Sequence, residues 1–168
     1  MRSIVLAALL AALGAACGGD GGGAGGGSES GGRGGGGGGP GGDATPQTPL
    51  PAELVGTWSI SSSGATIQAR SALELAAPGT YALSTRIESS TCFFARETGT
   101  VEVDGDALTL HPRTLANTTS CELDPTLEQR EPPAPTRYTW EVFHDEEWDL
   151  TYLRLDDGQS QEEWMKEE

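Results

Sequence analysis

From Leu54 onward apolar and polar positions alternate with a period of two, and no helical stripe of useful length appears. Leu54, Gly56, Trp58 and Ile60 share one face of a first predicted strand, opposite Val55, Thr57 and Ser59. Ile67, Ala69, Ser71 and Leu73 define a second; Tyr81, Leu83, Thr85 and Ile87 a third; Thr91 to Arg96 a fourth. Val101 and Val103 mark a fifth, which turns through Asp104-Gly105-Asp106 into Leu108 and Leu110. Glycine accepts the positive φ such a tight turn demands, so this is the strongest hairpin signal in the chain. Tyr138, Trp140, Val142 and His144, then Trp148, Leu150, Tyr152 and Arg154, give the last two runs.

About eight consecutive antiparallel strands without helical crossovers bury their apolar faces either as a meander barrel or as two packed sheets. Closure removes exposed edges and favours the barrel. The expected fold is therefore all-β, a small antiparallel up-and-down barrel over residues 52–168. The tail from Gln159 to Glu168 is left open between a further strand and a frayed end.

The chain before this region follows a different pattern. Arg2 is followed by an unbroken apolar or small-residue run from Ile4 to Ala16 and then by Cys17. Such a run rises roughly 20 Å as a helix, short of the ~30 Å hydrocarbon core, and fits a secretory signal better than a spanning anchor. Leu13-Gly14-Ala15-Ala16-Cys17 resembles the lipobox of bacterial lipoproteins. The resemblance implies cleavage after residue 16, so that 1–16 is a signal peptide, and a diacylglycerol with palmitate-type chains on Cys17. It also implies membrane attachment through that residue. The alternative is an ordinary signal peptide whose removal leaves a free thiol near the new terminus. With Cys17 lipidated, Cys92 and Cys121 remain as an even pair in a compartment that permits disulfides. Gly18, rather than an aspartate, follows the cysteine, which by analogy with enteric bacteria points to the outer membrane.

Composition explains what lies between leader and barrel. The chain holds 25 glycines, and its hydrophobic fraction is only 36%. Residues 18–39 are dominated by glycine and 43–51 by proline and threonine, so 17–51 is read as a lipidated cysteine and a disordered linker that cannot bury enough apolar area to order itself. A flexible coil of that length reaches about 30 to 35 Å. The tract matches G-x-G-x-x-G repeatedly, but no strand precedes it and no Gly-Lys-Ser/Thr follows, so it is no phosphate loop.

The net charge of −15 is concentrated near the C-terminus. A surface that acidic repels phosphate backbones and anionic headgroups, which excludes a nucleic-acid partner and argues against electrostatic membrane binding. Candidate chemistry is sparse. His111 lies opposite Leu108 and Leu110 and is expected to face solvent. His144-Asp145-Glu146-Glu147 is read as a solvated turn rather than a metal site, since a usable site needs ligands converging from spaced positions. No Gly-x-Ser-x-Gly or Ser-x-x-Lys motif occurs. No enzyme activity, cofactor or metal is expected. Asp124 to Thr136 carries Pro125, Pro132, Pro133 and Pro135 and reads as an exposed semi-rigid loop, either a lid or docking epitope or a tolerated insertion.

Leu54-Val-Gly-Thr-Trp58, Gly79-Thr-Tyr81 and the hairpin Glu97-Thr-Gly-Thr-Val-Glu-Val-Asp-Gly-Asp-Ala-Leu-Thr-Leu-His-Pro112 are similar to motifs of the lipocalin-like domains of bacterial lipoproteins. The resemblance covers roughly residues 52 to 155. It implies that Trp58 closes the barrel floor and that an arginine of the last strand packs across its ring; Arg154 matches that position, unless it pairs instead with surface carboxylates. Two functional readings follow. In one, the barrel holds a small apolar ligand against Trp58, Tyr81, Leu83, Ile87, Trp140, Val142, Leu150 and Tyr152. In the other, side chains fill the interior and the protein is a structural or interaction module of the envelope, with its protein partner left unspecified.

Overall fold

The computed structural model describes residues 49–122 and 126–168; the leader, Cys17, the glycine tract and Asp124 and Pro125 lie outside the described residues. Nine strands follow in order: β1 (Gly56–Ser63), β2 (Gln68–Ala76), β3 (Thr80–Glu88), β4 (Cys92–Asp104), β5 (Ala107–Thr118), β6 (Glu128–Arg130), β7 (Thr136–Asp145), β8 (Leu150–Asp156) and β9 (Gln161–Lys166). All pairings are antiparallel. β9 pairs with β1 through Trp58↔Lys166 and Ser59↔Met165, and β4 pairs with β5, so eight strands close on themselves and β6 stands outside the circuit. No helix occurs among the described residues. The architecture is the antiparallel up-and-down barrel that the alternation predicts.

Three details depart from the sequence reading. The predicted fourth and fifth strands are one long strand, β4, with a register shift between Thr98 and Gly99. A β-bulge of this kind bends a strand without ending it, which lets β4 follow the barrel wall. The tail forms β9 and supplies the eighth wall. Within the proline-rich stretch Glu128–Arg130 pairs with Leu115–Asn117 of β5, in the part of that strand beyond its pairing with β7.

Directly opposed residues share a face, so register identifies the interior. Lys166, Trp58, Leu73, Leu83, Glu97 and Leu115 form one inward row across β9, β1, β2, β3, β4 and β5. Trp164, Leu153 and Val142 form another across β9, β8 and β7. Trp58, Leu54, Leu73, Leu75, Leu108 and Leu153 are essentially inaccessible and pack with Tyr81, Val101, Leu110, Leu155 and Trp164. Leu54 precedes β1 and, like Leu50, belongs to this cluster; the Trp58 indole N–H donates to the Leu54 carbonyl at 2.8 Å. The Asp104–Asp106 hairpin turns at Gly105, φ 61°, and Trp140 clasps it: its amide donates to the Asp106 carbonyl and its indole to that of Gly105.

Candidate functional site: the barrel interior and its outer grooves

The interior is not uniformly apolar. Ser71 of β2 and Thr85 of β3 are buried, directly opposed and hydrogen-bonded at 3.0 Å, so neither hydroxyl is left unpaired. The Tyr81 hydroxyl donates to Glu97 Oε1 at 2.6 Å. Burial pushes the Glu97 carboxyl above its ordinary value, and the bond from Tyr81 opposes that shift only in part. Burial and the carboxylate it bonds push the Tyr81 hydroxyl strongly upward. Tyr138 of β7 is raised to about 12 by burial and by the nearby Glu162, Asp157 and Glu97. Glu162 is raised by burial too, although the Trp164 indole donates to it at 3.2 Å. The barrel thus holds two tyrosine hydroxyls and two inward glutamates, one of them bonded to Tyr81 and the other to Trp164.

The predicted wall residues divide into three groups. Trp58 and Tyr81 are buried within the packed cluster. Leu83, Ile87, Trp140 and Val142 face inward and are half-buried, with Leu83, Trp140 and Val142 packed against that cluster. Leu150 and Tyr152 face outward, which corrects the expected face of β8. The inward residues of that strand are Thr151, Leu153 and Leu155, opposed to His144, Val142 and Trp140. A one-residue slip in register turns every side chain of a strand over, and here both faces carry apolar residues, so alternation alone did not select the right one.

Arg154 shares that outward face and does not cover Trp58. Its guanidinium lies between Glu141 at 2.6 Å and Glu163 at 3.0 Å, 4.6 Å from the centroid of the Phe143 ring, which itself stacks on Tyr152. The cation over Trp58 is Lys166. The surface-carboxylate alternative for Arg154 is the one the structure adopts.

Tyr138 shares the inward run of Trp140 and Val142, whereas sequence reasoning missed Glu97, Leu153, Leu155, Glu162, Trp164 and Lys166 as interior residues. For the last three a signal existed. Asp156-Asp157-Gly158 is turn chemistry: the Asp157 carboxylate accepts the Gln159 and Ser160 amides, which lowers its pKa, and Gly158 has φ 84°. The alternating Glu162, Trp164 and Lys166 follow it directly.

Cys92 and Cys121 are bonded, joining the start of β4 to the segment after β5 with a Cα–Cα distance of 5.1 Å. His111 faces outward, 3.5 Å from Glu102. His144 lies 3.4 Å from Asp149, and Asp145 organises the acidic turn by accepting the Glu147 and Trp148 amides.

Two grooves lie on the outside of the wall. One, about 270 Å³, is lined by Ser61, Ser63, Gln68, Arg70, Arg86 and Glu88 with parts of Ser62 and Ala69. The other, about 220 Å³, lies among Glu102, Asp104, Thr109, His111 and Arg137. A closed eight-stranded barrel with a packed centre and polar outer grooves is the class of protein the coordinates define. Comparison of the chain with protein-family models, curated proteins and solved structures gave no match.

Proposed function

We propose that this chain is a lipid-anchored protein of the bacterial envelope whose lipocalin-like barrel acts through its outer surface, as a non-enzymatic interaction or structural module. The observation that carries the reading is the filling of the interior. Trp58, Trp164, Tyr81 and a shell of leucines occupy the space a carrier would leave for its ligand. Two of the expected wall residues, Leu150 and Tyr152, belong to the outside. The anchor rests on the lipobox resemblance at Cys17, and two acyl chains on one residue suffice for stable attachment.

Native mass spectrometry of the protein purified from its own host tests the filled barrel. The expected species is the acylated polypeptide alone. A co-purified apolar molecule that leaves when Leu83 or Val142 is changed to Trp would return the interior to a carrier role. Cys17→Ser tests the anchor: the variant should move to the soluble fraction, and continued membrane attachment would discard lipidation while leaving the barrel reading intact.

A further inference from the structure

The chain carries 25 acidic residues against 10 lysines and arginines, yet its barrel sets two arginines side by side. Arg70 of β2 and Arg86 of β3 are directly opposed on the outward face, and Ser61 of β1 stands opposite Arg70 on the other side. The next outward row is Ser63, Gln68 and Glu88. Like charges directly opposed across a strand pair destabilise the pair, so this arrangement costs stability where a neutral residue would not. Both arginines line the same 270 Å³ groove. Each is paired with one acid: Arg86 lies 2.6 Å from Glu88, which also lines the groove, and Arg70 lies 3.3 Å from Glu167 beyond the last strand. Within the groove lining the balance is two cations against one carboxylate.

We propose that this groove is a binding site for a phosphorylated saccharide. The planar guanidinium forks of Arg70 and Arg86 match a phosphate, whose charge also removes their mutual repulsion. The groove is too large for phosphate alone. Its remaining lining supplies Ser61 and Ser63 hydroxyls and the Gln68 amide, donors and acceptors of the kind that sugar hydroxyls pair with. Glu88 competes with the ligand for Arg86. The site is on the barrel wall and stands or falls independently of the anchor at Cys17.

Isothermal titration of the full chain with glucose 6-phosphate, inorganic phosphate and glucose tests this. Glucose 6-phosphate should bind saturably and more tightly than phosphate, while glucose should not bind measurably. Arg86→Ala and Arg70→Ala should each weaken binding about tenfold or more, the loss of one charge-assisted contact. Glu88→Gln should tighten it several-fold, and Arg137→Ala, in the other groove, should leave it unchanged. No saturable binding, or binding indifferent to both Arg70→Ala and Arg86→Ala, overturns the site. Equal affinity for phosphate and glucose 6-phosphate overturns its saccharide part. A phosphorylated polysaccharide that binds while glucose 6-phosphate does not assigns the chemistry to a polymer and overturns the free sugar phosphate as its source.

Discussion

The Lys166 ammonium lies 5.1 Å from the centroid of the Trp58 ring, and the two residues are directly opposed across the β1–β9 seam. The same ammonium reaches the Glu53 carbonyl at 3.5 Å, and the lysine stem passes where a side chain on Gly56 would begin, 3.2 Å from that position. Lys166 therefore fastens the strand that closes the barrel to the buried indole of Trp58. Lys166→Met, which keeps the stem and removes the charge, should cost about 1 kcal/mol, and Lys166→Ala, which removes both, about 2 kcal/mol. Urea denaturation followed by tryptophan fluorescence measures both. Arg154→Ala, an exposed ion-pair loss, should cost less than Lys166→Ala; the reverse order would mean that the seam is held elsewhere.

Gly99 sits opposite Tyr81 at the bulge of β4. A methyl group there would stand 2.2 Å from the His111 carbonyl oxygen and 2.7 Å from the Tyr81 ring. The tyrosine can shift; the backbone of β5 cannot without breaking the ladder. Gly99→Ala should therefore destabilise the barrel by about 3 kcal/mol, at the upper end for overpacking, whereas Gly105→Ala is governed by its positive φ alone and should cost about 1 kcal/mol. Equal losses at the two sites would contradict the close approach.

Much of the barrel is written in period-two alternation, and the places where reading it failed share a cause. β1, β2 and β3 carry apolar residues on one face and serine, arginine or glutamate on the other, so their inward residues Trp58, Leu73 and Leu83 are plain in the sequence. β8 is different: Leu150, Tyr152, Leu153 and Leu155 place apolar bulk on both faces, and only pairing with β7 and β9 settles which is inside. Glu97 is the opposite case, a charged residue whose alternation with Gly99 and Val101 points it inward. A rule that sends charge to solvent passes over it, because the hydroxyl that makes its burial tolerable belongs to another strand. Arg154, expected over Trp58, lies on the outward face of β8, and the cation over that ring is Lys166, one strand later.

The disulfide is the third testable element. Cys92 and Cys121 are 29 positions apart in sequence, and closing a loop of that size contributes on the order of 3 kcal/mol in the chain-entropy account. The bond also ties down the end of the β4–β5 pair, at the exposed Cys121 and Glu122. Cys92→Ala/Cys121→Ala should lower the unfolding free energy by about that amount and increase amide exchange first at β6 and the adjoining end of β5. A double variant with unchanged urea midpoint would show that the strand pairing alone holds this end.

Glu97 gives the barrel a pH dependence whose sign is fixed by its burial. Its folded-state pKa is raised above the ordinary value of 4.5, so between those two values the folded chain binds more protons than the unfolded one. Stability is fully present below 4.5 and is lost as pH rises through the raised value; Glu162, raised for the same first reason, adds to the slope. The net charge of −15 acts in the same direction, since acidification relieves repulsion among exposed carboxylates. Glu97→Gln separates the two effects. Glutamine keeps an oxygen to accept the Tyr81 hydroxyl but carries no charge to bury, so the variant should melt at a higher temperature than the parent at pH 7.5. The gap should close as pH falls toward 4.5, when the parent's own carboxyl takes up its proton. Thermal melts of both proteins across that range decide the matter: a constant difference, or a destabilised variant at neutral pH, would mean that the ionised carboxylate is itself what the Tyr81 bond requires.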